Sequence, residues 1–296
     1  MTIKQILKSR KIRGFLMSNL GFIPDKTYVS LFYFAATGKF PNLKNPVGYN
    51  EKLQWLKLHG DYDKYIDYVD KIKARDIVRE KIGEGYSFDL LGQWKSFDEI
   101  DFSQLPNEFV LKCNHDSGST KLIYDKSTIT GKKLKELKRF YDGRLSEDAY
   151  IAGREPTCKG IERRIIAEKL MKDDTGESIG IKDYKFYCFN GKPEILLIVS
   201  DREADVKFDF FDMDFNHLSI TRGHPNNFNL HKPSNFEELK AITRKLCSEM
   251  QHVRVDLYDI NGKIYFGEFT FFPGGGFSLF EPDEWERKLG DMIEIG

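Results

Sequence analysis

The segment HVRVDLYDI-NG-KIYFGEFTF, residues 252–271, constrains this chain more than any other. Two runs rich in β-branched and aromatic residues flank Asn261-Gly262, the dipeptide that favours the tightest hairpin turns. The segment reads as an antiparallel hairpin. Residues two apart on a strand share a face, so Arg254 lies with Asp256 and Glu268 with Thr270. Pairing Ile260 with Lys263 sets Asp256 opposite Gly267, one position short of Glu268, and the sequence leaves that offset open. Two carboxylates and a hydroxyl near one another offer hard oxygen ligands of the kind Mg²⁺ accepts alongside substrate phosphates. The alternative is a surface strand with ordinary charges. Acids flanked by VRV, YFG and FTFF lie in apolar surroundings, however, and buried acids need partners.

Three further segments carry candidate chemistry. DYKFYCFN, Asn190-Gly191 and PEILLIVS form a second hairpin. On it Lys185 shares a face with Asp183 and Arg202 ends the returning strand, so both cations converge on one anion or stand as solvated strand-end charges. FVLKCNHDSGST, residues 109–120, places Lys112 at the end of an apolar strand. The turn that follows, with Ser117, Gly118 and Ser119, presents backbone N–H groups to a phosphate or is an ordinary hairpin turn. It is not a Walker A sequence, because no Gly-Lys-Ser/Thr opens a helix. IIAEKLM, residues 165–171, is an apolar strand carrying Glu168 and Lys169, read either as a hinge that binds an adenine ring or as an edge strand.

Around these segments the pattern is mixed. From Pro24 to Lys81 apolar residues recur at helical spacing and predict three or four helices. Thr130–Arg144 is a basic amphipathic helix, and Ser234 to Glu237 is a capping box opening a helix that runs to Met250. PGGG and a short C-terminal helix follow the last hairpin. A length of 296 residues suits one large domain or two small ones.

Lys+Arg and Asp+Glu both number 46, and this balance argues against a general nucleic-acid binder. No apolar run approaches the length of a membrane-spanning helix. Cys113, Cys158, Cys188 and Cys247 form no Cys-x-x-Cys pair, so a structural zinc site is not expected and the compartment reads as a reducing cytoplasm. The first 24 residues are basic and lack the apolar core of a signal peptide. They read as an amphipathic helix that packs on the domain or rests on an anionic membrane surface.

In this order, a strand lysine with a small loop, a hinge glutamate, a strand cation and VRVDLY…GKIYFGEFT resemble the ATP-grasp fold. The ending is similar to that of D-alanine–D-alanine ligases. NPVGYNEKLQWLKL, VDKIKAR, LKCNHDSGS, DYKFYCFNGKP and VRVDLYDINGKIYFGEFTFFPGGGF make the chain look like the TupA-like ATP-grasp proteins of capsule, O-antigen and teichuronopeptide clusters. The fold implied is α+β, with two α+β subdomains clamping ATP and a mostly helical N-terminal region. Its divisions fall at residues 1–105, 106–180 for the lid and 181–296 for the subdomain with the metal site.

The resemblance implies Lys112 and Lys185 on the ATP phosphates under a loop of Ser117, Gly118 and Ser119, with Glu168 and Leu170 lining the adenine hinge. Asp256 and Glu268 would hold Mg²⁺, and Arg202 and Arg254 would lie near the transferred phosphoryl group. Thr270 stands where many such enzymes carry a metal-binding Asn. The reaction implied is amide formation through an acyl phosphate, joining an amino acid to a uronic acid of a surface polysaccharide or its precursor. The cell site implied is the cytoplasm, at the inner face of the membrane if the basic N-terminus binds there. Two other functions stay open: a glycosyltransferase using Asp212 and Asp214 of FDMDF, and a non-catalytic glycan- or nucleotide-binding protein.

Overall fold

A computed structural model describes residues 21–173, 178 and 180–295. The basic segment proposed for membrane contact therefore lies almost wholly outside the described residues. Helices α1 (Asp25–Thr37), α2 (Tyr49–His59), α3 (Ile66–Val69) and α4 (Ala74–Ile82) come first, as the helical spacing predicts. Strands β1 (Leu90–Trp94), β2 (Phe109–Cys113) and β3 (Lys121–Ile123) precede helices α5 (Gly131–Ser146) and α6 (Ala149–Gly153). Next come β4 (Ile165–Lys169), β5 (Asp183–Phe189), β6 (Lys192–Ser200), β7 (Lys207–Phe211) and β8 (His217–Leu218). Helix α7 (Phe236–Cys247), strands β9 (His252–Ile260) and β10 (Lys263–Thr270), and helix α8 (Glu284–Asp291) complete the order.

The strands form two antiparallel sheets, a smaller one ordered β1-β4-β2-β3 and a larger one ordered β10-β9-β5-β6-β7-β8. β4 is an interior strand of the smaller sheet, so the edge-strand reading of IIAEKLM is corrected. Hydrogen bonds to β1 and β2 on its two sides fix Glu168 in place. The outer strand β1 comes from the stretch that directly follows the helical region.

Both expected hairpins form about their Asn-Gly pairs, with φ of 48° and 75° at Asn190 and Gly191 and of 53° and 79° at Asn261 and Gly262. The larger sheet carries the main core, and every residue of β5 is buried. Helix α7 presents Phe236, Leu239, Ile242, Thr243 and Leu246, at three- and four-residue spacing, to that sheet. The helix begins at Phe236 after Asn235, and no side chain caps it. The Ser234–Glu237 capping box is therefore not formed, because the chain turns into the helix one residue later than that motif requires.

A separate cluster of Phe109, Leu111, Ile165 and Ala167 against Leu137 and Tyr141 of α5 supports the smaller sheet. Helix α2 adds Tyr49, Leu53 and Leu56 to the main core. The two sheets meet along a cleft lined on one side by Lys112 and Glu168 and on the other by Phe266 and Gly267. No helix among the described residues is long and apolar enough to cross a membrane.

Candidate active site

The larger sheet supplies a row of charge at the cleft. Lys185, Asp256 and Glu268 stand opposite one another on the adjacent strands β5, β9 and β10. Regular pairing from the Asn-Gly turn would bring Gly267, not Glu268, opposite Asp256. A β-bulge between Phe266 and Glu268 inserts the missing residue and closes the offset. Position 267 favours glycine, since a β-carbon there would sit 2.8 Å from the Tyr258 ring and 3.0 Å from the Asp256 carbonyl oxygen.

Each acid in this row is engaged. Lys185 pairs with Asp256, while Arg254 donates to the same carboxylate from Nε at 2.6 Å and from Nη2 at 2.8 Å. Nη2 of Arg254 also donates to Thr270 Oγ1 at 3.1 Å and lies 3.6 Å from Glu268. Thr270 donates to Glu268 at 3.4 Å, and Lys71 stands 3.5 Å from its other oxygen. Lys185 lies 3.6 Å from the fully buried Asp183, which Arg202 also contacts, so the two cations read as converging on one anion do converge. That anion is a residue of the protein.

Burial alone would raise the Glu268 carboxyl, but Lys71, Lys185, Arg254 and Lys112 outweigh it and hold it at about 2. Burial works against the charge on Arg254, and Asp256 more than restores it, raising the guanidinium above its ordinary value. Glu268 and Arg254 therefore both keep their charges at neutral pH.

On the smaller sheet Lys112 lies 2.6 Å from Glu168, whose other oxygen is 3.5 Å from Arg75 of α4. Of the turn after Lys112, Ser117 and Gly118 are exposed while Ser119 is buried. The Ser119 hydroxyl accepts from the Cys113 backbone at 2.8 Å and donates to Asp116, so it braces the turn. Arg144 of α5 pairs with Asp116 and donates to the Ser117 carbonyl at 2.9 Å. Leu170 follows β4 and is half-buried.

Lys71 and Arg75 escaped the residue-level reading. Lys71 donates to the Asp116 carbonyl at 2.7 Å while facing Glu268, so it bridges the turn of one sheet and the acid of the other. Their signal in the sequence is VDKIKAR, where two cations four apart can share a helical face. With both in place, the cleft between Lys112, Glu168 and Gly267 holds about 10 Å³ of free space, filled by its own ion pairs. A broader concavity of about 600 Å³, lined by Ser219, Asn226, Phe228 and Glu281, lies away from these charges.

The donor set of Asp256, Glu268 and Thr270 consists of hard oxygens and suits Mg²⁺, which takes one or two carboxylates and completes its shell with water and phosphate. No group of three or more His, Cys, Asp or Glu residues among the described ones could cage a metal unaided. Glu268 is the more accessible acid, with a side chain 29% exposed against 1% for Asp256. Asp212 of the FDMDF segment accepts from the Asp214 and Asn216 backbones at 2.9 and 2.8 Å. Its carboxylate closes a turn.

The family model described as TupA-like ATPgrasp matches residues 51–294. The chain belongs to the TupA-like ATP-grasp family. The two antiparallel sheets with their helices are thus an ATP-grasp fold, and Lys71, Lys112, Glu168, Lys185, Asp256 and Glu268 all fall inside the matched ATP-grasp segment. No curated protein matches the sequence.

Among solved structures, the chain is similar to D-alanine–D-alanine ligase from Bacillus anthracis at 20% identity and a TM-score of 0.43, over 83% of this chain and 69% of that one. The corresponding ligase from Coxiella burnetii shows 15% identity and a TM-score of 0.42, over 91% and 63%. An ATP-grasp ligase, PsnB, with a precursor variant, Mg and ADP shows 9% identity and a TM-score of 0.43, over 82% and 65%. This ATP-grasp chain spans about two thirds of the length of each.

Proposed function

We propose that the protein is an ATP-dependent carboxylate–amine ligase that joins an amino acid to a uronic acid of a surface polysaccharide or its precursor. The observation that carries this reading is the cross-strand row Lys185–Asp256–Glu268 facing the Lys112–Glu168 pair over one cleft. Both signs of charge are needed there. Cations receive a polyphosphate, and acids hold the divalent ion that accompanies it.

In this reading Lys112 and Lys185 bind the phosphates, Ser117, Gly118 and Ser119 form the turn over them, and Glu168 and Leu170 border the adenine. Asp256 and Glu268, with Thr270 beside them, hold Mg²⁺, which when bound offsets the phosphate charge. Arg202 and Arg254 flank the phosphoryl group as it passes to the substrate carboxylate, giving an acyl phosphate that an amine attacks. Because the cleft is filled by internal ion pairs, nucleotide entry exchanges those pairs for phosphate and metal and parts the two sheets. The TupA-like resemblance to proteins of polysaccharide clusters supports a uronic acid as the carboxylate, and the neutral overall charge supports a small anionic ligand over a nucleic acid.

A screen of glucuronate and galacturonate against the amino acids, with ADP release as readout and mass spectrometry of the product, tests the reading. ADP release that requires both substrates, with an amide product, is expected. Release of UDP from a nucleotide sugar, without ATP consumption, would favour glycosyl transfer and overturn it.

A further inference from the structure

Glu155 stands apart from the other acids near the cleft. It opens the short turn Pro156–Cys158 between α6 and β4, is half-buried, and its carboxylate makes no hydrogen bond or ion pair with any described residue. Lys57 of α2 lies close but is engaged elsewhere, donating to the Gly153 carbonyl at 2.8 Å and the Gly275 carbonyl at 2.7 Å. Its ammonium also sits 4.6 Å from the centre of the Phe277 ring. Those bonds tie the α6 loop to the turn after β10. Glu155 rests over the same two backbones, with Oε1 placed 2.9 Å from a β-carbon built on Gly153 and 3.7 Å from one built on Gly275.

The turn beside Glu155 carries no side chains for three successive residues. Gly274, Gly275 and Gly276 have φ of 65°, 63° and 66°, a run that side-chain-bearing residues rarely adopt. Burial raises the Glu155 carboxyl, Lys57 opposes this, and the charge on Glu268 raises it further. Glu155 and the candidate metal ligand therefore share one electrostatic neighbourhood. A half-buried carboxylate whose neighbouring cation is bonded to two carbonyls keeps its own hydrogen-bonding capacity open, and an ammonium brought by a ligand would fill it.

We propose that Glu155 receives the attacking amine as its ammonium, in a subsite walled by Lys57 and the Gly274–Gly276 turn. The proposal rests on the ligase reading above. The ammonium gives one proton to Glu155, and the freed electron pair attacks the acyl carbon. The C–N bond forms as the C–O bond to phosphate breaks, and the phosphate leaves with that bond's electron pair and the second amine proton.

The test uses hydroxylamine, which is mostly uncharged at neutral pH, as the alternative amine. Glu155→Gln, Glu155→Asp and wild type are compared with glucuronate or galacturonate, on hydroxylamine and on the amino acid giving the fastest ADP release with wild type. In Glu155→Gln the ratio of kcat/KM for the amino acid to that for hydroxylamine should fall about tenfold or more, as for loss of one charge-assisted hydrogen bond. Glu155→Asp should recover part of it. An equal fall on both amines, or an unchanged ratio, would overturn the assignment. Wild-type enzyme that releases no ADP with either uronate and hydroxylamine would instead remove the ligase reading on which it rests.

Discussion

The two sheets bring charge to the same cleft in different ways. On the smaller sheet one carboxylate, Glu168, is shared by Lys112 and Arg75, and the cluster that supports the sheet is the smaller of the two, drawn from strand residues, α5 and the turns that hold Phe97, Ile100, Leu105 and Ile129. On the larger sheet two almost fully buried acids, Asp183 and Asp256, are each held by two cations within the main core. Ion pairs this deep persist only where each charge is compensated by an opposite one, because desolvation of an unpaired charge costs several kcal/mol. The larger sheet is thus a platform whose charges hold one another, and under the proposed function the smaller sheet is the part whose pairs are exchanged for a ligand. Asp256→Asn tests the difference at its strongest point. It leaves Lys185 and Arg254 without their common anion, so urea denaturation should show a loss of about 3–5 kcal/mol. A loss below about 1 kcal/mol would mean that the platform does not depend on this acid.

The bulge at Gly267 tests the same comparison through the backbone. Gly267→Ala drives a methyl group into the Tyr258 ring, which must shift, and against the Asp256 carbonyl, which cannot withdraw without moving its strand. A cost of about 1–3 kcal/mol is expected. Nucleotide binding should weaken as well, because the bulge sets Glu268 beside Asp256. Full stability with weakened binding would show that the register, and not the packing, is what the glycine protects.

The contrast also explains what the sequence disclosed. Both hairpins were legible because Asn-Gly turns and alternating apolar residues are local signals, and Asp256, Glu268 and Lys185 lie on those hairpins, while β6 ends at Ser200 and Arg202, expected to end that strand, lies in the turn after it. The offset at Gly267 was not, since a bulge depends on what the strand must pack against. The capping box misplaced the start of α7 for a related reason: Ser234 and Glu237 match a local rule, while the chain's path into the helix is set by the burial of Phe236. Lys71, Arg75, Lys57 and Glu155 were invisible as site residues. Lys71 and Arg75 reach the cleft, and Lys57 and Glu155 reach the turn after β10, from helices, turns or loops outside the hairpins, and only tertiary packing says so. The stretches that carry the family resemblance include Lys57, Lys71 and Arg75, but the resemblance assigned them no role.

Lys112 gives the smallest effect on stability and the sharpest separation of the two sheets. Its side chain is 14% exposed, and removing it leaves Glu168 with Arg75 at 3.5 Å, so no buried charge is stranded. Lys112→Met keeps the apolar stem and removes the cation, and because Arg75 still compensates Glu168 it should cost less folding stability than Asp256→Asn. Binding of a fluorescent ADP analogue should nonetheless weaken about tenfold, the loss expected when one charge-assisted contact to phosphate is deleted. A variant that unfolds as readily as Asp256→Asn would make the smaller sheet a second rigid platform. Unchanged ADP affinity would place the phosphates away from Lys112. A stable protein with weakened nucleotide binding is what a platform and a movable partner require, because the pair broken by the substitution is the one the ligand itself must break.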